Sequence, residues 1–452
     1  MIFLRRRRLF IWLIRAYLKK KGKSLLFFFI IGLALFLFLK FSADFLLAKL
    51  AISEQQRIGI VGAYTLDSLP TFILQDVSVG LTTLAPDGTP KPGIAKRWVV
   101  SSDGKTYKFD LFNNLYFSDG TNVTSKDINL SYKDVTISRP SAYAMIFHLK
   151  DSYSPFLVTL SHPILKNSNI GVGKYRIQNV TLNGDFVQTI KLIASKNSYM
   201  TKTYQFYPTQ DALKTAYVLG EINKVIGLTD IDYNKTTFSK FPNTEIIKSL
   251  DSNNLVTLFY NTSDSKYLSD KRIRDALTYA LPNTFPYGSR TYTPYPPQMW
   301  FAINDPDFQR LQDFTHSQLL LKAANINGPM TLTITTFPEY VQTAKIIQRN
   351  WEKINVKSNI VIVDSIPGNF QVFLYAFNPP KDPDQYSLWH SGQPLNIGNF
   401  RDLRIDQLLE DGRKTIDVNA RKIIYADFEK YLIDGAPASF LYYPYVYSLT
   451  KK

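Results

Sequence analysis

The sequence contains no cysteine, and only four of its 452 residues are histidines. The absence of cysteine excludes disulfide bonds, thiolate zinc sites, cysteine nucleophiles and lipid attachment through an N-terminal cysteine. No histidine lies within four residues of another, so the paired-histidine pattern of metal sites is absent. We therefore expect neither a resident metal ion nor a cofactor.

Catalytic signatures are also missing. The chain has no Gly-x-Ser-x-Gly elbow, no His-Glu-x-x-His, no phosphate-binding Gly-x-x-x-x-Gly-Lys and no Gly-x-Gly-x-x-Gly. The segment 171–173 reads Gly-Val-Gly, but the third glycine of the dinucleotide pattern does not follow it. We expect no catalytic residues and no enzymatic activity.

Positive charge is concentrated at one end of the chain. The formal net charge is +16, and residues 1–52 hold 11 lysines and arginines against one acidic residue, Asp44. A nucleic-acid-binding protein carries its basic residues on the folded part. The distribution therefore argues against a nucleic-acid partner.

The N-terminal segment has the composition of a membrane anchor. Residues 25–39 form an uncharged, almost wholly apolar run, and Lys40 and Asp44 are the only charges between residues 24 and 48. About 20 apolar residues in a helix span a hydrocarbon core of about 30 Å. We predict a transmembrane signal-anchor at residues 24–48, preceded by a basic cytoplasmic segment at residues 1–23. The rest of the chain is then extracellular or periplasmic.

The alternative is a signal peptide that is removed by cleavage. A cleavage site of the small-x-small type should follow the apolar run, and the sequences near residues 41–44 and 47–50 match it poorly. We therefore favour an uncleaved anchor over a cleaved signal.

The remaining 400 residues alternate between strand-like and helix-like patterns. Alternating apolar residues predict strands at residues 107–111, 256–260 and 330–336, and residues 360–363 and 372–377 are apolar runs typical of buried strands. A helical stripe at residues 340–354 lies between two of these strands and completes a βαβ unit. The fold class is α/β, with an antiparallel contribution from the first third.

Aromatic residues are abundant, with 28 tyrosines and 31 phenylalanines. Several cluster with proline and asparagine at residues 287–300 and 375–389. Rigid aromatic surfaces with polar tips suit a ligand-binding cleft. Ordinary core and loop packing explains the same composition, and both interpretations stay open at this point.

Short motifs in a fixed order point to a family. They are LAPDGTPKPGIAKRW (84–98), SDGKTYKFDL (102–111), YFSDGT (116–121), GVGKY (171–175), LGEIN (219–223), YNT (260–262), DKRIRDAL (270–277), DPD (382–384) and NFRD (399–402). In this order the chain resembles the family 5 extracellular solute-binding proteins, the peptide-, oligopeptide- and nickel-type binding components of ABC importers. The resemblance extends from about residue 55 to the end of the chain.

The resemblance implies a two-lobed periplasmic-binding-protein-like fold (type II, cluster C) that closes on its ligand. Lobe I is expected at residues 55–256, with residues 438–452 returning to it. Lobe II is expected at residues 263–436. The hinge is expected near Thr257–Asn261 and Ser439–Tyr443. Closure around a ligand is the usual motion of such proteins.

The resemblance also suggests nine ligand-binding residues. In peptide-binding relatives an aspartate just before the DPD motif pairs with the α-amine of the ligand. This chain has no acidic residue there, and Asn378 is the nearest equivalent, so blocked, acidic or sugar-like ligands stay open. The full expected set is Tyr64, Asp67, Arg290, Trp300, Asn378, Asp382, Asp384, Tyr386 and Trp389. Of these, Asp382 is equally interpretable as an Asx-turn residue before proline.

The function that follows from the resemblance is capture of a peptide-like solute and its delivery to ABC permease subunits. We expect a monomer that is held at the membrane by its N-terminal helix. A surface receptor or sensor with the same fold is the second hypothesis. A cell-wall hydrolase is the third and has the least support, because no nucleophile constellation is present.

Overall fold

A computed structural model describes residues 12, 17, 19–23, 26–38, 40, 55–167, 169–195, 199–263, 266–303 and 305–452. These residues fall into two compact units, one within residues 1–55 and 197–201, the other comprising residues 56–196 and 202–452. In the first unit residues 26–38 are helical, and most of their large apolar side chains are exposed.

The predicted anchor lies only partly within the described part of the chain. Residues 24–25, 39 and 41–48 lie outside it, as does most of the predicted basic segment at residues 1–23. Within the described part, the structure contains no helix that is both long enough and apolar enough to span a membrane.

The second unit contains most of the regular secondary structure. The strands are β1 (Gln55–Val61), β2 (Thr82–Leu84), β3 (Pro90–Pro92), β4 (Ala95–Val100), β5 (Thr106–Leu111), β6 (Val135–Ser141), β7 (Ala144–Leu149), β8 (Tyr175–Asn183), β9 (Phe186–Ala194), β10 (Thr201–Tyr207), β11 (Lys224–Leu228), β12 (Asp232–Tyr233), β13 (Thr236–Thr237), β14 (Thr244–Leu250), β15 (Leu255–Tyr260), β16 (Gly288–Arg290), β17 (Met330–Thr336), β18 (Val356–Ile362), β19 (Val372–Phe377) and β20 (Ala438–Lys451).

Helices separate many of these strands. They are α1 (Thr71–Val77), α2 (Phe156–Thr159), α3 (Gln210–Leu219), α4 (Lys271–Tyr279), α5 (Phe314–Ala323), α6 (Val341–Glu352), α7 (Tyr386–Trp389), α8 (Leu403–Lys414) and α9 (Val418–Gly435). Aspartates cap several of them: the side chain of Asp270 accepts the N–H of Arg272 at the start of α4, and Asp402 and Asp417 cap α8 and α9 in the same way.

One long sheet organises the second unit. Its strand order is β18-β17-β19-β15-β20-β11-β1-β10-β9-β8, and β14 and β16 also pair with β20. The strand β20 divides it into two parts. We call β18, β17, β19, β15 and β16 the second half-sheet, and β11, β1, β10, β9, β8 and β14 the first half-sheet.

The two half-sheets share β20. Its first residues pair antiparallel with β15, from Ala438 opposite Phe259 to Tyr442 opposite Val256. Its last residues pair with β11, where Thr450 lies opposite Lys224. The chain also crosses between the half-sheets at residues 251–254, between the end of β14 and the start of β15. The expected lobe boundaries and the hinge at Thr257–Asn261 and Ser439–Tyr443 stay predictions.

The strand β15, in the interior of the second half-sheet, is buried on both faces, and all six of its residues are buried. Its alternate residues belong to two cores, because side chains of a strand point to opposite faces. One core contains Val256, Leu258 and Tyr260 packed against α4, α5 and α6. The other contains Leu255 and Phe259 packed against α8 and α9. The predicted βαβ unit is confirmed, since β17 and β18 pair in parallel and α6 connects them.

A separate antiparallel sheet follows the order β4-β5-β7-β6. It confirms the antiparallel contribution that the sequence predicts for the first third of the chain. Alternate residues of β5, Tyr107, Phe109 and Leu111, point into a core that also holds Met145 and Phe147. We call residues 95–160 the antiparallel subdomain.

The Gly-Val-Gly segment at residues 171–173 serves packing. A Cβ atom on Gly171 would lie 2.1 Å from the carbonyl oxygen of Val77, and one on Gly173 would lie 2.6 Å from the same oxygen. Both contacts are with backbone that cannot move independently. Glycine is required because the loop lies directly against the end of α1.

We therefore expect Gly171→Ala to destabilise the protein by about 1–3 kcal/mol, because the added methyl group must displace the Val77 backbone. Urea unfolding of the full chain measures this. The matched control is Gly328→Ala, since a Cβ at exposed Gly328 would meet nothing within 4 Å. Equal unfolding midpoints for the two variants would contradict the packing explanation.

Candidate functional site

The loop after β19 carries two of the predicted aspartates. The carboxyl ends of strands in α/β sheets commonly bear ligand-binding loops. Here Asp382 is buried and forms a bidentate ion pair with Arg421 of α9, with Oδ1–Nη2 and Oδ2–Nη1 distances of 2.6 and 3.1 Å. Its Oδ1 also accepts the N–H of Asp384 at 3.0 Å, which is the Asx turn considered from the sequence. Both carboxylate oxygens of Asp382 are thus engaged in holding the loop.

Asp384 forms a second ion pair. Its Oδ2 lies 3.0 Å from Nη2 of Arg413, and its Oδ1 accepts the N–H of Tyr386 at 3.1 Å. Burial raises the pKa of Asp384, and Arg413 opposes that rise. The guanidinium of Arg413 lies over two rings, 4.1 Å from the centroid of Tyr386 and 5.2 Å from that of Tyr153. Arg413 therefore connects the second half-sheet to the antiparallel subdomain.

Hydrogen bonds support the same connection. The N–H of Ser154 donates to the carbonyl of Arg413 at 2.8 Å, and the hydroxyl of Ser152 donates to that of Lys414 at 2.7 Å. The hairpin of β2 and β3 makes another contact, because the N–H of Trp300 donates to the carbonyl of Asp87 at 3.0 Å. Segments from the first third of the chain thus contact the loops of the second half-sheet.

The crossing segment at residues 251–254 contacts the same loop. Lys381 Nζ donates to Oδ1 of Asn253 at 2.8 Å. In the amide orientation that satisfies its hydrogen bonds, Asn378 donates to the carbonyl of Asn253 at 3.2 Å. Burial lowers the pKa of Lys381, and the nearby Asp251 opposes this. The loop after β19 is therefore coupled to one of the two crossings.

A cavity of about 390 Å³ lies beside both crossings. We call it the crossing cavity. Its lining includes Leu250 and Ser252 near the first crossing and Tyr443 on β20 at the second. The other lining residues are Ser289, Arg290, Thr291, Tyr292, Thr293, Pro296, Pro297, Gln298, Ile303, Asp305, Pro306, Phe308 and Gln309. The aromatic-proline segment that the sequence singles out forms most of this wall.

Arg290 is the basic residue of this lining. Its Nη1 donates to the carbonyls of Thr291, Phe440 and Leu441, the last at 2.9 Å. Its guanidinium lies 4.0 Å from the ring centroid of Tyr292. Burial lowers the pKa of Arg290 to about 10, so the side chain stays charged at neutral pH.

Glu429 lies beneath the crossing cavity. It is completely buried on α9, where the N–H of Ile303 and the hydroxyl of Thr293 face its carboxyl group. These two groups lower the pKa of Glu429, but burial raises it by more, so the pKa is about 8. The carboxyl group is therefore mostly protonated at neutral pH.

The structure brings some of the predicted residues together and leaves others apart. Asp382, Asp384 and Tyr386 meet around Arg413 and Arg421. The other six lie elsewhere: Asn378 at the first crossing, Arg290 in the crossing cavity, Trp300 against the β2–β3 hairpin, Trp389 in the hydrophobic core, and Tyr64 and Asp67 after β1.

Trp389 and Tyr64 are each engaged locally. The ring of Trp389 stacks on Phe259 with centroids 5.8 Å apart, and its Nε1–H donates to Gln385 at 2.7 Å. The ring of Tyr64 lies 5.2 Å from that of Phe206. Asp67 is exposed in a one-turn helix. The ligand-binding roles of all nine residues stay predictions.

Sequence reasoning missed Arg413, Arg421 and Glu429. A signal for Arg421 exists: together with Tyr425, Phe428 and Leu432 it falls at i, i+4, i+7 and i+11, so a charged residue occupies a buried stripe of α9. A charge in such a position requires a buried partner, which the sequence cannot identify. Arg413 is at the end of α8 and gives no such signal.

Comparisons with known proteins agree with this geometry. The family described as bacterial extracellular solute-binding proteins, family 5 Middle, matches residues 89–399. The chain is similar to the dipeptide-binding protein DppE of Bacillus subtilis, at 22% identity over an alignment that covers 82% of each protein.

Two solved structures share the fold. NikZ from Campylobacter jejuni in complex with Ni(L-His) has a TM-score of 0.71 at 20% identity, over 88% of this chain and 94% of that chain. The oligopeptide-binding protein AppA from Bacillus subtilis in complex with a nonapeptide has a TM-score of 0.67 at 20% identity, over 88% and 95% of the two chains. The predicted two-lobed α/β periplasmic-binding-protein-like fold is confirmed.

The raised pKa of Glu429 makes stability depend on pH. The folded state holds this proton up to about pH 8, whereas the ordinary pKa is 4.5, so stability falls as the pH rises between these values. Glu429→Gln removes the titration. We expect the variant to gain roughly 2–5 kcal/mol relative to the wild type between pH 4.5 and pH 8.5.

Urea unfolding of both proteins at pH 4.5, 6, 7 and 8.5 measures this difference. Glu352→Gln, at an exposed position, is the matched control and should leave the pH profile unchanged. A constant difference between Glu429→Gln and the wild type across this range would show that the carboxyl group does not titrate there.

Proposed function

The chain belongs to the bacterial extracellular solute-binding proteins of family 5, and on that premise we propose that it captures a peptide-like solute and delivers it to an ABC permease. Family members bind solutes and are not enzymes, which agrees with the expectation from the sequence. The observation that carries the proposal is the combination of the family match with a cavity lined by both crossings between the half-sheets.

Capture proceeds by closure. The two parts of the fold are joined by residues 251–254 and by β20, and a ligand at the crossing cavity contacts both connections. The contacts of Ser152 and Ser154 with the end of α8 then hold the parts together. Because these bonds are polar and few, the closed form is able to reopen for release.

The ligand class follows from the relatives. DppE is named for dipeptide binding, and AppA was solved with a nonapeptide, whereas NikZ was solved with a nickel–histidine complex. The wall of the crossing cavity combines tyrosine and proline surfaces with serine, threonine and glutamine side chains. Such surfaces suit the mixed apolar and amide character of a peptide.

We also propose that residues 24–48 anchor the protein in the membrane and leave residues 55–452 on the outer side. Support comes from the sequence: the apolar run at residues 25–39 and the excess of basic residues before it. An anchored binding domain stays close to its permease partner and needs no lipid group.

We expect the full chain, purified in mild detergent, to carry short peptides. Native mass spectrometry followed by denaturation should release peptides of mixed sequence. A peptide at 100 times its Kd should add about 2.7 kcal/mol of stability and raise the Tm. Tyr292→Ala should weaken the added peptide's binding, because it removes part of the cavity wall, and Tyr116→Ala, an exposed control, should not.

A nickel complex in place of peptides would overturn the ligand class and leave the family assignment intact. A chain that releases nothing and is stabilised by neither peptides nor nickel–histidine would contradict solute capture. That result would favour the receptor hypothesis.

The anchor has its own test. We expect the full chain to stay in the membrane pellet after alkaline carbonate extraction. Ile31→Arg with Leu35→Arg should move it to the supernatant, because each arginine costs about 2.5–3.5 kcal/mol at the centre of a spanning helix. The control is Leu182→Arg with Leu219→Arg, two exposed positions in the other unit. Retention of the Ile31/Leu35 variant in the pellet would contradict an anchor at residues 24–48.

A further inference from the structure

The crossing cavity contains two buried hydrogen-bonding atoms that the fold leaves without a partner. They are Nε of Arg290 and the hydroxyl oxygen of Tyr443, and neither has a hydrogen-bond partner among the residues that the structure describes. Tyr443 is 4% exposed. The carboxyl oxygens of Glu429, beneath the cavity, are likewise without a hydrogen-bond partner in the described part of the chain. Buried polar groups in proteins are nearly always hydrogen-bonded, so Nε of Arg290 and the hydroxyl of Tyr443 are available to a ligand that enters the cavity.

Arg290 also has no anionic partner. Between residues 55 and 452, outside the gaps already named, no carboxylate lies within ion-pair distance of its guanidinium. Arg421 shows the paired alternative, because Asp382 is its counter-ion. Arg290 is part-buried, and a partly desolvated charge without a counter-ion attracts an anion.

A second arginine of the same chain shows what a purely structural role looks like. Arg274 also donates to backbone carbonyls, and none of its hydrogen bonds goes to a carboxylate of the described residues. Its Nε, Nη1 and Nη2 donate to the carbonyls of Ala436, Leu268 and Gly435 at 2.9, 2.8 and 2.7 Å. All three nitrogens are occupied there, whereas at Arg290 the carbonyls engage Nη1 and leave Nε unpartnered.

The position of Arg290 is well defined. The carbonyls of Phe440 and Leu441 on β20 hold its Nη1, and the ring of Tyr292 covers the guanidinium at 4.0 Å. A guanidinium held in this way loses little conformational freedom when it binds a ligand. Its planar arrangement of donors matches a carboxylate, which accepts two parallel N–H bonds.

We propose that Arg290 binds the carboxylate of the captured solute, with Tyr443 hydrogen-bonding the same ligand. This inference rests on the proposed function and names its substrate class: a small solute with a free carboxylate. The volume of about 390 Å³ is at the small end of the range of about 300–1,000 Å³ for ligand pockets. Asp305 also lines the cavity, so a ligand with a cationic group elsewhere, such as a short zwitterionic peptide, suits the lining.

The site also links occupancy to closure. Arg290 is hydrogen-bonded to the backbone of β20, and Tyr443 is a residue of that strand. Leu250 and Ser252, beside the other crossing, line the same cavity. A carboxylate held there contacts both connections between the half-sheets, so its binding energy is available to favour the closed form.

The test uses the unmodified protein first. The full chain in mild detergent is titrated with two libraries of tripeptides that are identical except that one has free carboxyl termini and the other has amidated termini. Binding is measured by thermal shift and then by calorimetry on the best peptides. We expect amidation to weaken binding about 10- to 100-fold, because it removes a charge-assisted hydrogen-bonded pair.

Variants then assign the preference to the residues. Arg290→Met should bind acid and amide equally, and Tyr443→Phe, which keeps the ring, should weaken both forms by a smaller factor. Arg349→Met, which removes an exposed arginine of α6, should retain the full acid preference. A third library, of amidated tripeptides that contain glutamate, shows whether the protein binds a side-chain carboxylate or only a C-terminal one.

The outcomes separate the two proposals. If the wild type binds both libraries equally, the carboxylate site is wrong and solute capture stands. If Arg290→Met keeps the acid preference, the carboxylate is bound elsewhere and the inference is wrong. If neither library binds, the result contradicts both the proposed capture of peptides and the carboxylate site. If Arg290→Met does not fold, Tyr443→Phe decides, because an unchanged affinity of this variant for both libraries would contradict ligand binding at this site.

Discussion

The continuity of β20 is the constraint on which the rest of the structure depends. A single strand of 14 residues pairs with β15 and β16 at its start and with β14 and β11 at its end. Because a strand cannot shift its register on one side alone, both half-sheets are fixed with respect to the same backbone. The other crossing is the short segment 251–254. Motion between the two parts is therefore limited to deformations that these two connections allow.

Buried charges are placed around these connections. The pairs Asp382–Arg421 and Asp384–Arg413 position the loop after β19, and the latter arginine also contacts the antiparallel subdomain through Tyr153. Such pairs contribute little net stability, since desolvation offsets their attraction, but removal of one partner is costly. These pairs specify one loop conformation. Arg290 differs from Arg413 and Arg421 because backbone carbonyls, rather than a carboxylate of the described residues, hold its guanidinium.

Much of the fold was predictable because it depends on local patterns. The alternation in β5, β15 and β17 and the helical stripe of α6 reflect the two repeat lengths of regular structure, and both appear directly in the order of residues. The family resemblance added the two-lobed arrangement. The site was less predictable. Asp382 was a candidate ligand residue from its motif, yet its carboxylate is engaged by Arg421, which lies 39 positions away.

What the sequence determined by itself is the set of elements, the family and the concentration of basic and apolar residues at the N-terminus. These follow from local composition, periodicity and short motifs. The tertiary structure alone decided which charges are paired, which aromatic rings lie in the core and which polar atoms remain without a partner. Arg274 and Arg290 are the same residue type in the sequence. In the structure, carbonyls that include those of residues 435 and 436 accept from every side-chain nitrogen of Arg274. The carbonyl of residue 440 accepts from Nη1 of Arg290, whose Nε–H has no partner among the described residues. Burial and pairing depend on contacts between segments far apart in the chain, and local sequence carries no information on them.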